Sequence, residues 1–437
     1  MNELGYSMGV DFGTTNTVIA FASPTGEIKS VTFGAGTNSN DVYRSVLCFQ
    51  RDDSGANSKT EVSGGIEAID AYLTSANDVR FIQSIKSHAA SHLFEETRIF
   101  GNAFKFEDLM STFLQCAVSD AKGALTDFPA EFVSGRPVSF VGSKPDDALA
   151  MNRYEGAYQL AGFSKPRHVY EPVGAAYSYA QRLEKDATVL VGDFGGGTSD
   201  FSIIRFEKRD GRTIAHPVGF SGLGIAGDRF DYRIIDAVIS PKLGKYGQYK
   251  SFDKLLEMPK HYYTQFAKWH QLALLKTPGT IRELQNLAKS STQPEQVEAL
   301  IETIIDDRGF DVYRAVSAAK AALSSNPTAS FKLKLGDIDV GAEVKVDDFN
   351  NWIAPDLAQI GSTVDGLLAD TALSPDDIDN IFLTGGSSFI PAVQRIFSDR
   401  FGDQKLAGGN QFQSVAFGLA LIGQEPDLTP WLAEGTS

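Results

Sequence analysis

Two stretches of this chain repeat one short pattern, and that repeat restricts the fold more than anything else in the sequence. Asp11-Phe12-Gly13-Thr14-Thr15-Asn16 interrupts an apolar run from Gly9 to Ala22. Asp193-Phe194-Gly195-Gly196-Gly197-Thr198-Ser199-Asp200 interrupts a second, from Thr188 to Phe206. Each reads as strand, tight polar turn and strand. A turn repeated so far along the chain points to two halves of one architecture, not to a short-period solenoid. A third apolar run, Ile381 to Thr384, stops at Gly385-Gly386-Ser387, and Pro391 then opens a helix.

The rest of the chain fits an α/β body of several domains, as 437 residues suggest. Residues 61–119 read as polar with helical stretches, residues 129–141 as a buried strand and residues 152–162 as a helix. Val169-Tyr170-Glu171 leads into a helix with Pro172 in its first turn. A helix is expected over 227–240, a mostly helical stretch over 242–325, a hairpin over 330–346 and a last helix over 414–422. Trp269 and His270 read as core of the helical stretch. His88 and His92, spaced i, i+4, read as a solvated helix face.

Charge and composition exclude several functions. The formal net charge of −15 argues against nucleic acid or an anionic membrane as the main partner, since polyanions need a cationic face. Two cysteines, Cys48 and Cys116, cannot build a disulfide framework or a cysteine zinc site. No apolar run reaches membrane-span length and no signal peptide is evident, so a cytoplasmic protein is expected.

The glycine turns have their own chemistry. Gly195-Gly196-Gly197 before Thr198 presents successive backbone N–H groups with no Cβ to shield them, a nest suited to phosphate oxygens. Thr14, Thr15 and Asn16 can serve the same end from the other half. Asp11 and Asp193 precede the two turns, and two acids beside a polyphosphate imply an intervening hard cation, Mg²⁺. Other matches carry less. Gly222-Leu223-Gly224-Ile225-Ala226-Gly227 fits the dinucleotide pattern, but a helix containing Asp236 stands where a strand-borne acid belongs. No Walker lysine follows a glycine loop, and no His-Arg-Asp accompanies Asp-Phe-Gly.

Together these residues resemble a family. Asp11–Asn16 and Asp193–Asp200 look like the two phosphate motifs of the actin/hexokinase/heat-shock ATPase fold. Residues 381–391 resemble its adenosine motif, and Glu171–Ala176 and residues 414–420 its connecting helices. Asp-Phe-Gly-Gly-Gly-Thr-Ser-Asp and Glu-Pro-Val-Gly-Ala-Ala are similar to the DnaK/heat-shock-70 chaperone branch, and Gly135-Arg136-Pro137-Val138 to its short YegD-like group. The resemblance covers residues 8 to 425. It implies an α/β, two-lobed actin-like ATPase fold: duplicated ribonuclease-H-like domains with a central nucleotide cleft. Lobe I would span 1–186 with an insertion at about 42–116. Lobe II would span 187–404 with a helical insertion at about 229–346. Residues 405–437 would form a helix returning to lobe I and a tail, with no peptide-binding domain.

The resemblance also implies ATP or ADP with Mg²⁺ as cofactors. Asp11 and Asp193 would organise the metal, mostly through water. Thr14, Thr15, Asn16, Gly195, Gly196, Gly197, Thr198 and Gly227 would hold the phosphates. Lys86, Glu171, Asp193, Thr198 and Asp200 would be catalytic; phosphoryl transfer needs positioning and charge neutralisation more than covalent chemistry. Lys320, Ser324, Gly385, Gly386, Ser387 and Phe389 would face the nucleoside. Here the sequence departs from the family. Ala321 and Phe389 stand at arginine positions, and Asn410-Gln411-Phe412-Gln413 replaces Asn-Pro-Asp-Glu. Phe389 either stacks on the base or turns inward to pack with Ile390 and Val393. The expected function is a slowly hydrolysing, chaperone-like ATPase, with co-chaperones or client proteins as partners. The alternatives are a sugar- or acetate-type kinase on the same fold and a nucleotide-switched scaffold.

Overall fold

Strands Ser7–Phe12 (β1) and Asn16–Ala22 (β2) pair antiparallel around the Gly13-Thr14-Thr15 turn, with Asp11 opposite Val18 and Phe12 opposite Thr17. Both strands are rich in Val, Ile and Phe and are buried along most of their length, as an interior sheet requires. Ile28–Ser30 (β3) extends the hairpin. On the other side of β1, Glu131–Arg136 (β4) and Arg167–Tyr170 (β5) add in parallel, giving the order β5-β4-β1-β2-β3. Tyr43–Arg44 also pairs with β2. Crossover helix Asp147–Leu160 (α1) joins β4 to β5, capped by the Asp146 carboxylate accepting from the Leu149 amide. Helix Glu171–Ala180 (α2) follows β5 directly and carries Pro172 in its first turn.

The second sheet repeats this plan. Ala187–Phe194 (β6) and Ser199–Arg209 (β7) form the antiparallel pair around the Gly195–Thr198 turn, and Arg212–Leu223 (β8) extends it. Asn380–Thr384 (β9) and Leu406–Ala407 (β10) add in parallel beside β6, giving β10-β9-β6-β7-β8. The Asp-Phe-Gly strand is central in both sheets, with its hairpin on one side and parallel strands on the other. The mixed α/β architecture is that of the actin-like ATPase fold expected above. Helix Ser414–Ile422 (α3), buried almost throughout, packs on α2 and on β1.

The structure, a computed structural model, describes residues 5–34, 39–52, 59–75, 78–125, 129, 131–142, 144–209, 212–268, 271–272, 275–306, 308–407 and 413–433. Trp269, His270 and residues 410–412 lie outside them. The chain forms two compact units. Residues 1–225, 360–388 and 395–437 make the first, which contains both sheets. Residues 226–359 and 389–394 make the second. It holds helices Gly227–Ile234, Lys260–Ala267, Pro278–Ser290, Pro294–Ile305 and Gly309–Leu323, with Thr328–Phe331 paired to Ala342–Lys345. Asp356 is fully buried there between Arg229 and Arg233. No described helix is long and apolar enough to cross a membrane.

Several local expectations are refined or change. The stretch 242–325 is not helical throughout: Gln248–Ser251 and Lys254–Glu257 form a hairpin, closed by Phe252 at positive φ. The helix begun at Gly227 ends at Ile234, passes through a π-turn over 235–239, and gives way to a 3₁₀ turn containing Pro241. His88 and His92 do not share a helix face. His88 ends a 3₁₀ turn and stacks on Phe94, while His92 lies 2.8 Å from Asp146. The 59–104 segment also holds strands that its polar sequence hid, among them Lys59–Gly64 and Val79–Gln83.

Candidate active site

Several strand termini of the two sheets carry an acid or lead straight into one. Asp11 lies near the end of β1, Asp193 near the end of β6 and Asp200 at the start of β7, while Glu171 opens α2 directly after β5. In open α/β sheets the carboxyl ends of parallel strands are where ligands bind. Glu171 sits in the first turn of α2, where the helix dipole favours a negative charge. All four carboxylates are buried or nearly so.

One cation answers them. Lys86, on the 3₁₀ turn Ile85–His88, is buried and donates to Glu171 Oε1 at 2.5 Å. Burial works against the Lys86 ammonium, but Glu171 and then Asp11 outweigh it and hold its pKa above the ordinary value. The carboxylates respond in the opposite sense. Burial, then Glu171, pushes Asp11 up to about 7, with Lys86 pulling it back. Burial, then Glu171, also pushes Asp200 up to about 7, against the Thr198 hydrogen bond and Lys86. Asp193 is raised well above the carboxylate range by burial and then by Asp11, Glu171 and Asp200. Among the described residues, four acids stand against one lysine, and the site is short of positive charge.

The carboxylates owe their placement to groups to which the sequence assigned no role at the acids. The amides of Val138 and Ser139 donate to Asp200 Oδ1 at 2.7 and 3.2 Å. Gly222 makes room for that carboxylate, because a Cβ there would lie 2.5 Å from Asp200 Oδ1. Gly135 does the same for Glu171, where a Cβ would lie 2.9 Å from Cγ. The discounted dinucleotide match thus has a different use: Gly222 serves a buried acid. Only spacing in three dimensions reveals either glycine.

The phosphate-turn residues gather as well. A Cβ on Gly197 would stand 3.4 Å from Thr14 Oγ1 and 4.0 Å from Ser87 Oγ, so the two turns and the Lys86 turn meet there. The Gly195 amide donates to Thr198 O at 3.0 Å, closing the second turn, with Gly196 partly exposed. Asn16 is held through Oδ1 by Arg44 at 2.7 Å, and Thr15 O accepts from the Ser45 amide. Gly385 follows β9, and residues 386–389 form a 3₁₀ turn with Ser387 buried. Thr384 Oγ1 lies 2.9 Å from Ser414 Oγ.

Gly227, Lys320, Ser324 and Phe389 belong to the second unit. Lys320 donates to Gly227 O at 3.1 Å and lies 2.9 Å from Asp231 Oδ1. Asp231 is raised by burial, with Lys320 opposing, and burial pushes the neighbouring Asp228 up to about 6. Ser324 ends the Gly309–Leu323 helix. Phe389 is 43% exposed, whereas Ile390 and Val393 are buried.

His168 on β5 is buried with neither ring nitrogen hydrogen-bonded among the described residues, and burial, then Arg136 and Lys165, pushes it down to about 3. The folded protein therefore keeps His168 neutral where the unfolded chain protonates it. Its contribution is complete above about pH 6.5 and is lost as pH falls from there toward 3. His168→Met, which cannot titrate, should gain about 2 kcal/mol on the wild type between pH 7 and pH 5. Denaturant unfolding of both proteins at the two pH values measures this; parallel losses would refute it.

The profile of the family described as Hsp70 protein matches residues 7–254 and 309–425. The chain is 26% identical over 423 residues to the chaperone protein DnaK of Thermosipho africanus (strain TCF52B). It is 26% identical over 422 residues to those of Thermotoga petrophila and Thermotoga maritima. These alignments cover 96%, 95% and 95% of this chain and 59% of each relative, so the chain spans about three-fifths of their length.

Proposed function

The chain belongs to the Hsp70 family, and from that premise we propose that it is an ATP-binding, slowly ATP-hydrolysing chaperone-type ATPase that acts with Mg²⁺. The observation that carries this is the set of carboxylates around Lys86 at the strand ends of two like sheets, Glu171, Asp193 and Asp200 buried and Asp11 half-buried. The donor set fits a hard cation, being all oxygen with no sulfur. Asp11 and Asp193 would hold that cation mostly through water. Such a cation supplies charge neutralisation for the phosphates.

The residues divide the remaining work. Backbone amides of Gly196 and Gly197 and the hydroxyls of Thr14 and Thr198 bind phosphate oxygens, with Gly195 closing the second turn and Thr15 and Asn16 shaping the first. Lys86 supplies fixed positive charge where phosphoryl charge shifts, and Glu171 holds Lys86 in place. Asp200 orients the attacking water and accepts its proton, a role its pKa near 7 suits because a base works best close to ambient pH. Lys320, Ser324, Gly385, Gly386 and Ser387 bind the nucleoside, and the exposed ring of Phe389 stacks on the base. Gly135-Arg136-Pro137-Val138 supports placing the chain with the short YegD-like group. Co-chaperones and client proteins are the partners this reading predicts, in the cytoplasm.

Calorimetry with ATP and with ADP, in Mg²⁺ and in EDTA, tests the reading. Binding should be tight only with the metal, and Phe389→Ala should weaken it about tenfold while Phe389→Arg restores it. No heat and no thermal stabilisation at millimolar nucleotide would end the proposal.

A further inference from the structure

Arg136 ends β4 and is 2% exposed, among the largest side chains to be so completely buried. A guanidinium in such a place is costly unless its donors are met. Its Nε donates to Pro137 O at 3.1 Å, and Nη2 donates to the Asp147 carboxylate at the start of α1. The guanidinium carbon lies 5.2 Å from the Phe140 ring and 5.3 Å from the Tyr170 ring.

Three of these partners, Pro137, Phe140 and Tyr170, stand next to a residue of the site or of its amide grip. Tyr170 directly precedes Glu171. Pro137 directly precedes Val138, whose amide grips Asp200. The Pro137 carbonyl and the Val138 N–H belong to one planar peptide unit and point in opposite directions. Fixing one end of that plane aims the other. The plane is therefore pinned at both ends, by the Arg136 Nε at the carbonyl and by Asp200 Oδ1 at the N–H.

We infer that Arg136 is a positioning residue: by holding the Pro137 carbonyl and packing against Phe140 and Tyr170, it aims the Val138 and Ser139 amides at Asp200. Lysine would keep the charge but not the planar fork that serves Pro137 and Asp147 together. The consequence for turnover rests on the hydrolysis proposed above; the consequence for the amides does not.

The test uses the full chain with Arg136→Gln and Arg136→Lys. Hydrogen exchange at Val138 and Ser139, without nucleotide, is compared with Leu190 and Val191 in the buried strand β6. Both variants should exchange at Val138 roughly tenfold faster or more, with the β6 amides within about threefold of wild type. Single-turnover ATP hydrolysis should fall about tenfold with nucleotide affinity nearly kept. Should Arg136→Gln fail to fold, Arg136→Lys carries both readouts. Unchanged exchange at Val138, exchange raised equally in β6, or full recovery by lysine overturns the inference. If the wild type does not hydrolyse ATP, the ATPase reading fails while the exchange result still decides the role of Arg136. Faster exchange with undiminished hydrolysis would detach the loop from Asp200 chemistry and overturn the positioning claim.

Discussion

Lys86→Ala should lower single-turnover ATP hydrolysis by about 10²–10³-fold, the range seen when one preorganised electrostatic partner is removed from an active site. Nucleotide affinity should fall far less, because the phosphate-binding amides remain. The same substitution should cost about 3–5 kcal/mol of stability without ligand, as expected when one member of a buried pair is removed and its partner stays. Here the penalty falls on four acids, since Lys86 opposes the raised pKa of Asp11, Asp193 and Asp200 as well as pairing with Glu171. Asp200→Asn should show the opposite combination. It removes a buried charge and keeps an oxygen for the Val138 and Ser139 amides, so stability should hold or rise while hydrolysis drops by a similar factor. Asp11 and Asp200 add a sign that can be checked. Their raised values mean the fold binds protons that the unfolded chain has released between about pH 4 and pH 7. Their contribution is complete below pH 4 and is lost as pH rises through 7. Mg²⁺ should therefore stabilise the protein more at pH 8 than at pH 6. Equal hydrolysis in Lys86→Ala and wild type would remove this residue from the chemistry.

Asp11 and Asp193 were legible because their signals are local. Asp-Phe-Gly followed by small polar residues marks a strand stopping at a turn, and the second occurrence made the duplication visible. Lys86, like Glu171 and Asp200, is different: nothing around Ser84-Ile85-Lys86 announces a buried cation, and only the family resemblance singled it out. Of the groups that fix the acids, Gly135, Val138 and Gly222 stood out only as members of other motifs, with nothing to tie them to the acids. Gly135 and Gly222 look like any strand glycines until Glu171 and Asp200 are packed against them. The Val138 and Ser139 amides carry no side-chain signature. The hairpin at 248–257 escaped notice because its turn uses Phe252, 94% exposed, at positive φ instead of glycine. His88 and His92 misled for a similar reason. Ser84 adopts left-handed geometry before a single 3₁₀ turn, and periodicity alone cannot tell that turn from a helix.

Gly418→Ala should destabilise the protein strongly, although glycine-to-alanine changes within helices usually help. Helix propensity alone favours alanine by about 0.8–1 kcal/mol. At Gly418, however, a Cβ would lie 1.6 Å from the carbonyl oxygen of Gly174, and neither atom belongs to a flexible side chain. Gly174 in turn faces Val415 O, which its own Cβ would meet at 2.8 Å. Helices α2 and α3 thus approach backbone to backbone, and relief requires one helix to move. Overpacking in a dense core costs about 1–3 kcal/mol, and a rigid backbone neighbour puts this site at or beyond the upper end. Gly366→Ala is the control: that glycine lies inside the Val346–Asp370 helix with nothing within 4 Å of its Cβ position. It should gain the propensity term and become more stable. The clash also reaches the site, because α2 begins at Glu171. Displacing α2 by even part of an ångström loosens the 2.5 Å contact to Lys86, so Gly418→Ala should lose hydrolysis beyond what its folded fraction explains. Denaturant midpoints for the two variants, with rates corrected for folded protein, separate the terms. A Gly418→Ala protein as stable as Gly366→Ala would mean that α2 and α3 can part freely, and that their close approach does not hold Glu171.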